Sequence, residues 1–319
     1  MKTKTKYILG TALTSILVFA FILSSTSSLK LRVSNIITAS AKSSNESLND
    51  IQQEKIAINH KITSSKKEKT KDSQKNMDEL KNKLITYIGS DITNIGLTYI
   101  DLQSGNEVQI NSTKDFLAAS TVKVPMNMVL FDMVKDNKIG INDTLVYSED
   151  SDYEEGTGEL DSSQLQSPIP IKTLSDYSIL YSDNIATNML IRKIGVDNLK
   201  DNIETKLGHK INRSGNYTTA GDSATLLKLL YENSTNNPYY NNIINNMKHT
   251  IFHDRIDKNI PQQITAHKIG NYEDYANDIA IIYTDHPYIL SIFTNNMTDA
   301  NNKIAQISKI IYDYQIDSN

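Results

Sequence analysis

The chain has 319 residues, 39% of them hydrophobic, enough for one large domain or two small ones with a buried core. Its formal charge is −4, but the first 41 residues carry five Lys/Arg and no acid, so the rest carries −9 and nucleic acid is excluded as a natural partner. No cysteine is present, which excludes disulfides, thiolate chemistry and cysteine-based zinc sites, and fits an exported protein.

Residues 1–41 read as a signal peptide or an N-terminal membrane anchor. Lys2, Lys4 and Lys6 precede an uncharged, apolar-rich run from Tyr7 to Leu23, followed by Ser and Thr. The run is long for a signal core and slightly short for a membrane span. Ala39-Ser40-Ala41 has the small-x-small form of a cleavage site but lies far downstream. The anchor is the preferred reading, and positive charge ahead of the run leaves the rest of the chain outside. From residue 42 to 76 the composition turns to Ser, Asn, Lys, Gln and Glu, and Lys66-Lys67-Glu68-Lys69 is dense in charge. Such a stretch cannot bury enough apolar surface to order itself and reads as a disordered tether.

The folded domain is expected over residues 77–319. Met77, Leu80, Leu84, Ile85 and Ile88 recur at helical spacing. Ile95 to Leu102 reads as a strand, Gln103-Ser104-Gly105-Asn106 as a turn, and Glu107 to Ile110 as the return strand. A helix opening at Ser120 runs to about Val134, with Pro125 early enough to be tolerated. Helices follow over 171–181, 185–194, 196–207, 223–231 and 238–248, then strands over 264–270, 279–283 and 288–294. A last amphipathic helix, 299–314, turns Ile304, Ile307, Ile310 and Ile311 inward. Strands at both ends with helices between predict an α+β fold. An antiparallel sheet of N- and C-terminal strands packs against a mostly helical subdomain.

Chemistry concentrates in three places. In Ala119-Ser120-Thr121-Val122-Lys123 a lysine lies one helical turn beyond a serine, so its amine can take the hydroxyl proton. The helix start favours a developing oxyanion. The same spacing occurs at Ser27/Lys30 and Ser64/Lys67, so the motif carries weight only in company. That company is Tyr181-Ser182-Asp183-Asn184 and, on a C-terminal strand, His267-Lys268-Ile269-Gly270. Ser-x-x-Lys, Ser-Asp-Asn and Lys-Thr-Gly in this order form the motif set of class A β-lactamases and penicillin-binding proteins.

With the flanks Phe116-Leu117-Ala118-Ala119 and Ile185-Ala186-Thr187-Asn188, the chain resembles the class A β-lactamase-like serine hydrolases from about Met77 to Tyr314. The resemblance implies Ser120 as the acylated nucleophile, Lys123 as its base and Ser182 as the proton relay to the leaving group. Asn184 would bond the substrate's amide side chain. Lys268 would supply charge near the substrate carboxylate, and Gly270 belongs to the same substrate-binding edge. The N–H groups of Ser120 and Asn271 would form the oxyanion hole. The implied partner is a β-lactam or a peptidoglycan stem peptide, met by a monomer outside the cytoplasm, without cofactor or metal.

Asp183 reads as a structural hydrogen-bonding residue, and Gly156-Thr157-Gly158 as a turn. The six His residues show no metal spacing, and neither His253 nor His267 is assigned to catalysis. Two departures from the resemblance stand out. No Glu-x-x-Leu-Asn stretch follows Ser182-Asp183-Asn184; the region 207–219 looks shortened, and Glu204 lies in the wrong context to replace that glutamate. Ile269 stands where a threonine is expected, and Asp254-Arg255-Ile256 offers Arg255 as a compensating carboxylate anchor or as a surface ion pair.

Overall fold

The structure is a computed structural model that describes residues 76–317. The signal, anchor and tether readings lie outside the described residues, as do Ser27/Lys30 and Ser64/Lys67, except that residue 76, the tether's last, already begins a helix. Among the described residues no helix is long and apolar enough to cross a membrane.

Strands β1 (Ile95–Asp101), β2 (Glu107–Ile110), β7 (Thr265–Tyr272), β8 (Tyr275–Ile282) and β9 (Tyr288–Asn295) form one antiparallel sheet in the order β2-β1-β9-β8-β7. Side chains alternate across a strand, so each strand feeds two cores. Leu97, Tyr99, Ala280, Ile282, Leu290 and Ile292 face the rear core, while Ile279, Ile281, Ile289 and Phe293 face the front one. The first and last strands pair directly, from Ile95↔Thr294 to Asp101↔Tyr288. That pairing gives the sheet of chain-terminal strands expected from the sequence.

The rear face is covered by helix α1 (76–88) and the C-terminal helix α9 (Ala300–Asp317). Met77, Leu80, Leu84 and Ile88 are buried there, each leucine or isoleucine contributing about 1.5–3 kcal/mol of apolar burial. Ile85 is a correction, being 39% exposed. It sits 100° around the helix from Leu84, off the stripe. The front face carries the helices α2 (Lys123–Lys135), α3 (Glu149–Asp152), α4 (Ile171–Leu180), α5 (Asn184–Ile194), α6 (Val196–Leu207), α7 (Ala220–Glu232) and α8 (Tyr240–Lys248). Helix α2 is the axis of this layer; Val124, Met126, Met128, Val129, Leu130 and Phe131 are all fully buried.

Two pairs of short strands escaped the sequence reading. Phe116–Leu117 (β3) pairs with Tyr217–Thr218 (β6), and Thr144–Leu145 (β4) with Ile169–Pro170 (β5). Two-residue strands show no alternation, so long-range pairing alone defines them. The first pair fixes the segment leading into Ser120 against the end of the 207–219 region.

Candidate active site

Ser120 sits in the 3₁₀ turn Ala119–Val122, which runs straight into α2. Ala119 is held at φ +47°, a conformation costing an L-residue about 1–2 kcal/mol. Two bonds maintain it. Asn216 Nδ2 donates to Ala119 O at 3.1 Å, and Ala118 N–H donates to Asn216 O at 2.8 Å. Strain of this kind, fixed by its surroundings, projects a side chain out of the turn.

Lys123 follows one turn later and is only 3% exposed. Its ammonium donates to Ser182 O (2.6 Å), Asn184 Oδ1 (2.8 Å) and Ser182 Oγ (3.3 Å). Burial pulls its pKa down to about 8, against the opposing charges of Glu154 and Asp183. From the other side Lys268 Nζ donates to Ser182 Oγ at 2.9 Å and to Ile269 O at 3.0 Å. Lys268 is fully buried, and burial together with the charge of Lys123 holds its pKa well below the lysine range. The Ser182 hydroxyl thus lies between two amines, and Ser182 itself is strained at φ +53°. Among the described residues the Ser120 hydroxyl makes no hydrogen bond; such contacts often tighten only when substrate is bound.

Asp183 is structural, in keeping with the sequence reading. It caps α5 through Ala186 N–H (2.7 Å) and accepts the N–H groups of Glu159 (2.7 Å) and Leu160 (2.9 Å). The turn Gly156-Thr157-Gly158 is therefore more than a turn: it walls the site. Asn184 N–H donates to Thr157 O at 2.9 Å, and a Cβ at Gly158 would lie 2.6 Å from Asp183 Oδ2. Nothing in the spacing of those residues pointed to the contact.

Strand β7 is the free edge of the sheet and lies against the Ser120 turn. At Gly270 a Cβ would meet Ala118 O at 2.6 Å and Thr121 N at 3.1 Å, which explains the glycine. Gly270→Val is expected to push the edge away from Ser120 and slow its acylation at least tenfold, measured by covalent labelling. Asn277, on β8 and fully buried, is a positioning residue the sequence did not reveal. It donates to Leu117 O (2.8 Å) and Ala118 O (3.3 Å) and accepts Thr294 N–H (3.2 Å). Asn277→Ala removes a buried partner from Leu117 O and Thr294 N–H, so a loss of about 1–3 kcal/mol is expected in urea denaturation.

Arg255 is 3% exposed and lies 3.6 Å from the half-exposed carboxylate of Asp254. Its guanidinium donates to Gly270 O (2.9 Å), Asn277 O (2.8 Å), Asn271 Oδ1 (2.6 Å) and Asn301 Oδ1 (2.9 Å). It braces the edge strand at Gly270 and Asn271 from behind.

A family model described as the beta-lactamase enzyme family matches residues 76–315. The chain belongs to that family.

Solved structures share the fold at low identity. A mutant of PBP-A, captured as an acyl-enzyme complex with penicillin G, is 22% identical with a TM-score of 0.69, covering 75% of this chain and 97% of its own. A beta-lactamase from Sphaerobacter thermophilus DSM 20745 is 21% identical with a TM-score of 0.65, covering 73% and 97%. The extended-spectrum beta-lactamase TLA-1 is 20% identical with a TM-score of 0.68, covering 75% and 99%.

In this member of the beta-lactamase family, Glu204 is a fold staple. Arg213 and Lys210 hold its carboxyl down to about pKa 2, with Arg213 Nε at 2.8 Å and Lys210 Nζ at 2.6 Å. The space beside the Ser120 turn is instead an apolar cavity of about 290 Å³, lined by Pro125, Ile191, Leu207, Ile211, Tyr217 and Leu226 among others. Glu154, whose charge reaches Lys123 together with that of Asp183, accepts Asn188 Nδ2 at 2.9 Å. Ile269 is 9% exposed and pairs with Asp278 across β7–β8.

Proposed function

We propose that the protein is a serine hydrolase that forms an acyl-enzyme on Ser120 with a β-lactam or a peptidoglycan stem peptide. The observation that carries this reading is the run Lys123–Ser182–Lys268 beside the strained Ser120 turn. Lys123, brought to about pKa 8 by burial, takes the Ser120 proton as the oxygen attacks the carbonyl. The N–H groups of Ser120 and Asn271 meet the oxyanion. Ser182, fed by the two amines, returns a proton to the departing nitrogen. Lys268 draws the substrate carboxylate toward Gly270, and Asn184 bonds the amide side chain. The PBP-A acyl-enzyme with penicillin G supports a β-lactam as acyl donor.

The decisive test is incubation of the purified protein with a fluorescent penicillin. Stoichiometric label on the wild type and none on Ser120→Ala is expected. No label on the wild type, or equal label on both, ends the acylation reading.

Glu204 locked by Arg213, and an apolar cavity beside the nucleophile, favour slow release of the acyl group. A second reading follows: a penicillin- or peptidoglycan-binding, D,D-peptidase-like protein rather than a competent β-lactamase. Rapid multiple turnover of a chromogenic β-lactam excludes it. The basic residues Lys2, Lys4 and Lys6 before Tyr7–Leu23 place the protein, in this proposal, outside the cytoplasmic membrane. Protease treatment of intact cells should remove an exposed domain and spare a cytoplasmic one.

A further inference from the structure

Behind strand β7, on the face away from Lys268, lies a cluster that the acylation chemistry does not use. We propose that His253, Asp257 and His267 form a transition-metal site suited to zinc. Their donor atoms all lie within 4.8 Å of one another. His253 Nδ1 contacts Asp257 Oδ2, and His267 Nε2 lies 3.2 Å from the same oxygen. Zinc bonds of about 2.0–2.1 Å in a tetrahedron separate ligand atoms by about 3.3 Å, so little movement is needed.

Two buried atoms mark the ion's place. His267 and Asp257 are each 1% exposed, yet His267 Nε2 and Asp257 Oδ1 have no hydrogen-bond partner. Nε2 faces the Asp257 carboxylate as an ion-pair contact at 3.2 Å. Such buried atoms are costly to leave without a hydrogen bond; a cation between them satisfies both.

The surroundings are those of a metal-binding histidine. The other ring nitrogen, His267 Nδ1, lies 3.1 Å from both oxygens of Asp278, and Asp278 Oδ2 also accepts Ile256 N–H at 3.0 Å. A carboxylate behind a histidine fixes the tautomer that directs Nε2 to the metal. Two imidazoles and a carboxylate are the ligand types of zinc, and a fourth position remains for water. His253 is 37% exposed and gives the ion its entrance.

The site would tie two pieces of chain together. The segment bearing His253 and Asp257 also carries Arg255, which braces Gly270 and Asn271, and Phe252, whose ring centre is 5.8 Å from Lys268 Nζ. The spacing of these residues gave no metal signature because the third ligand lies on a strand ten residues beyond Asp257, joined to the others only by folding.

The test is isothermal titration of the metal-stripped purified protein with zinc chloride, with thermal melting alongside. One equivalent and a raised melting temperature are expected. His253→Ala, partly exposed and so safe for the fold, should weaken binding at least 100-fold; Asp257→Asn should do the same. His209→Ala, which removes an exposed His209–Asp222 pair, should bind as the wild type does. Cobalt in place of zinc should show the absorption bands of a tetrahedral ion in the wild type and not in His253→Ala. No saturable binding, binding unchanged in His253→Ala, or binding lost in His209→Ala overturns the proposal.

Discussion

Replacing Lys123 by alanine is expected to slow acylation of Ser120 by about 10²–10⁴-fold, the effect of losing a general base. Lys123 is suited to the task by its surroundings. An exposed lysine is almost wholly protonated at neutral pH, whereas burial brings this one to about pKa 8. Only the proton-free amine accepts a proton, so the reactive form is present above the pKa and lost below it. The acylation rate should therefore rise about tenfold per pH unit below pH 8 and level off above it. In Lys123→Ala that rise should vanish. Lys123→Arg should not rescue the rate, because a guanidinium keeps its proton. Stopped-flow labelling with a fluorescent penicillin measures each case. An undiminished rate in Lys123→Ala, or a wild-type profile flat through pH 8, removes Lys123 from the base role.

A penicillin adduct on Ser120 is expected to persist. Release requires a base aimed at a water beside the ester. Glu204 is held near pKa 2 by Arg213 and Lys210, and the neighbouring cavity is apolar. Loss of such a base slows a step by up to about 10⁴-fold. Applied to a common turnover of about 10 s⁻¹, that leaves a lifetime on the order of 10³ s. Intact mass spectrometry against time should show the adduct fill and decay on that scale. Glu204→Gln should leave the lifetime unchanged, because the carboxylate is committed to the loop. An adduct gone within seconds overturns this expectation and turns attention to Glu154, whose charge faces Lys123.

Much of the molecule was legible from local pattern. The short, nearly continuous apolar runs in Ile95–Asp101 and Tyr288–Asn295, buried on both faces, and the helical spacing of Val196–Leu207 follow from what each residue must bury. The three motifs were visible because Ser-x-x-Lys, Ser-Asp-Asn and Lys-x-Gly each occupy one turn or one strand end. The turn Gly156-Thr157-Gly158 was legible as a turn but not as a wall, since its partner Asp183 lies more than twenty residues on. Ile85 misled the helix pattern because it lies beside the buried stripe rather than on it.

The sequence by itself determined the α+β layering and the order of the motifs. Each is set by residue type and spacing along the chain. Tertiary structure alone decided what the buried charges do. Arg255 became a brace for the edge strand, and Glu204 a loop staple. Asn277 came to hold the approach to Ser120, and His267 met Asp257 and Asp278. A buried charge or amide must find partners wherever the fold supplies them, and those partners come from segments distant in sequence.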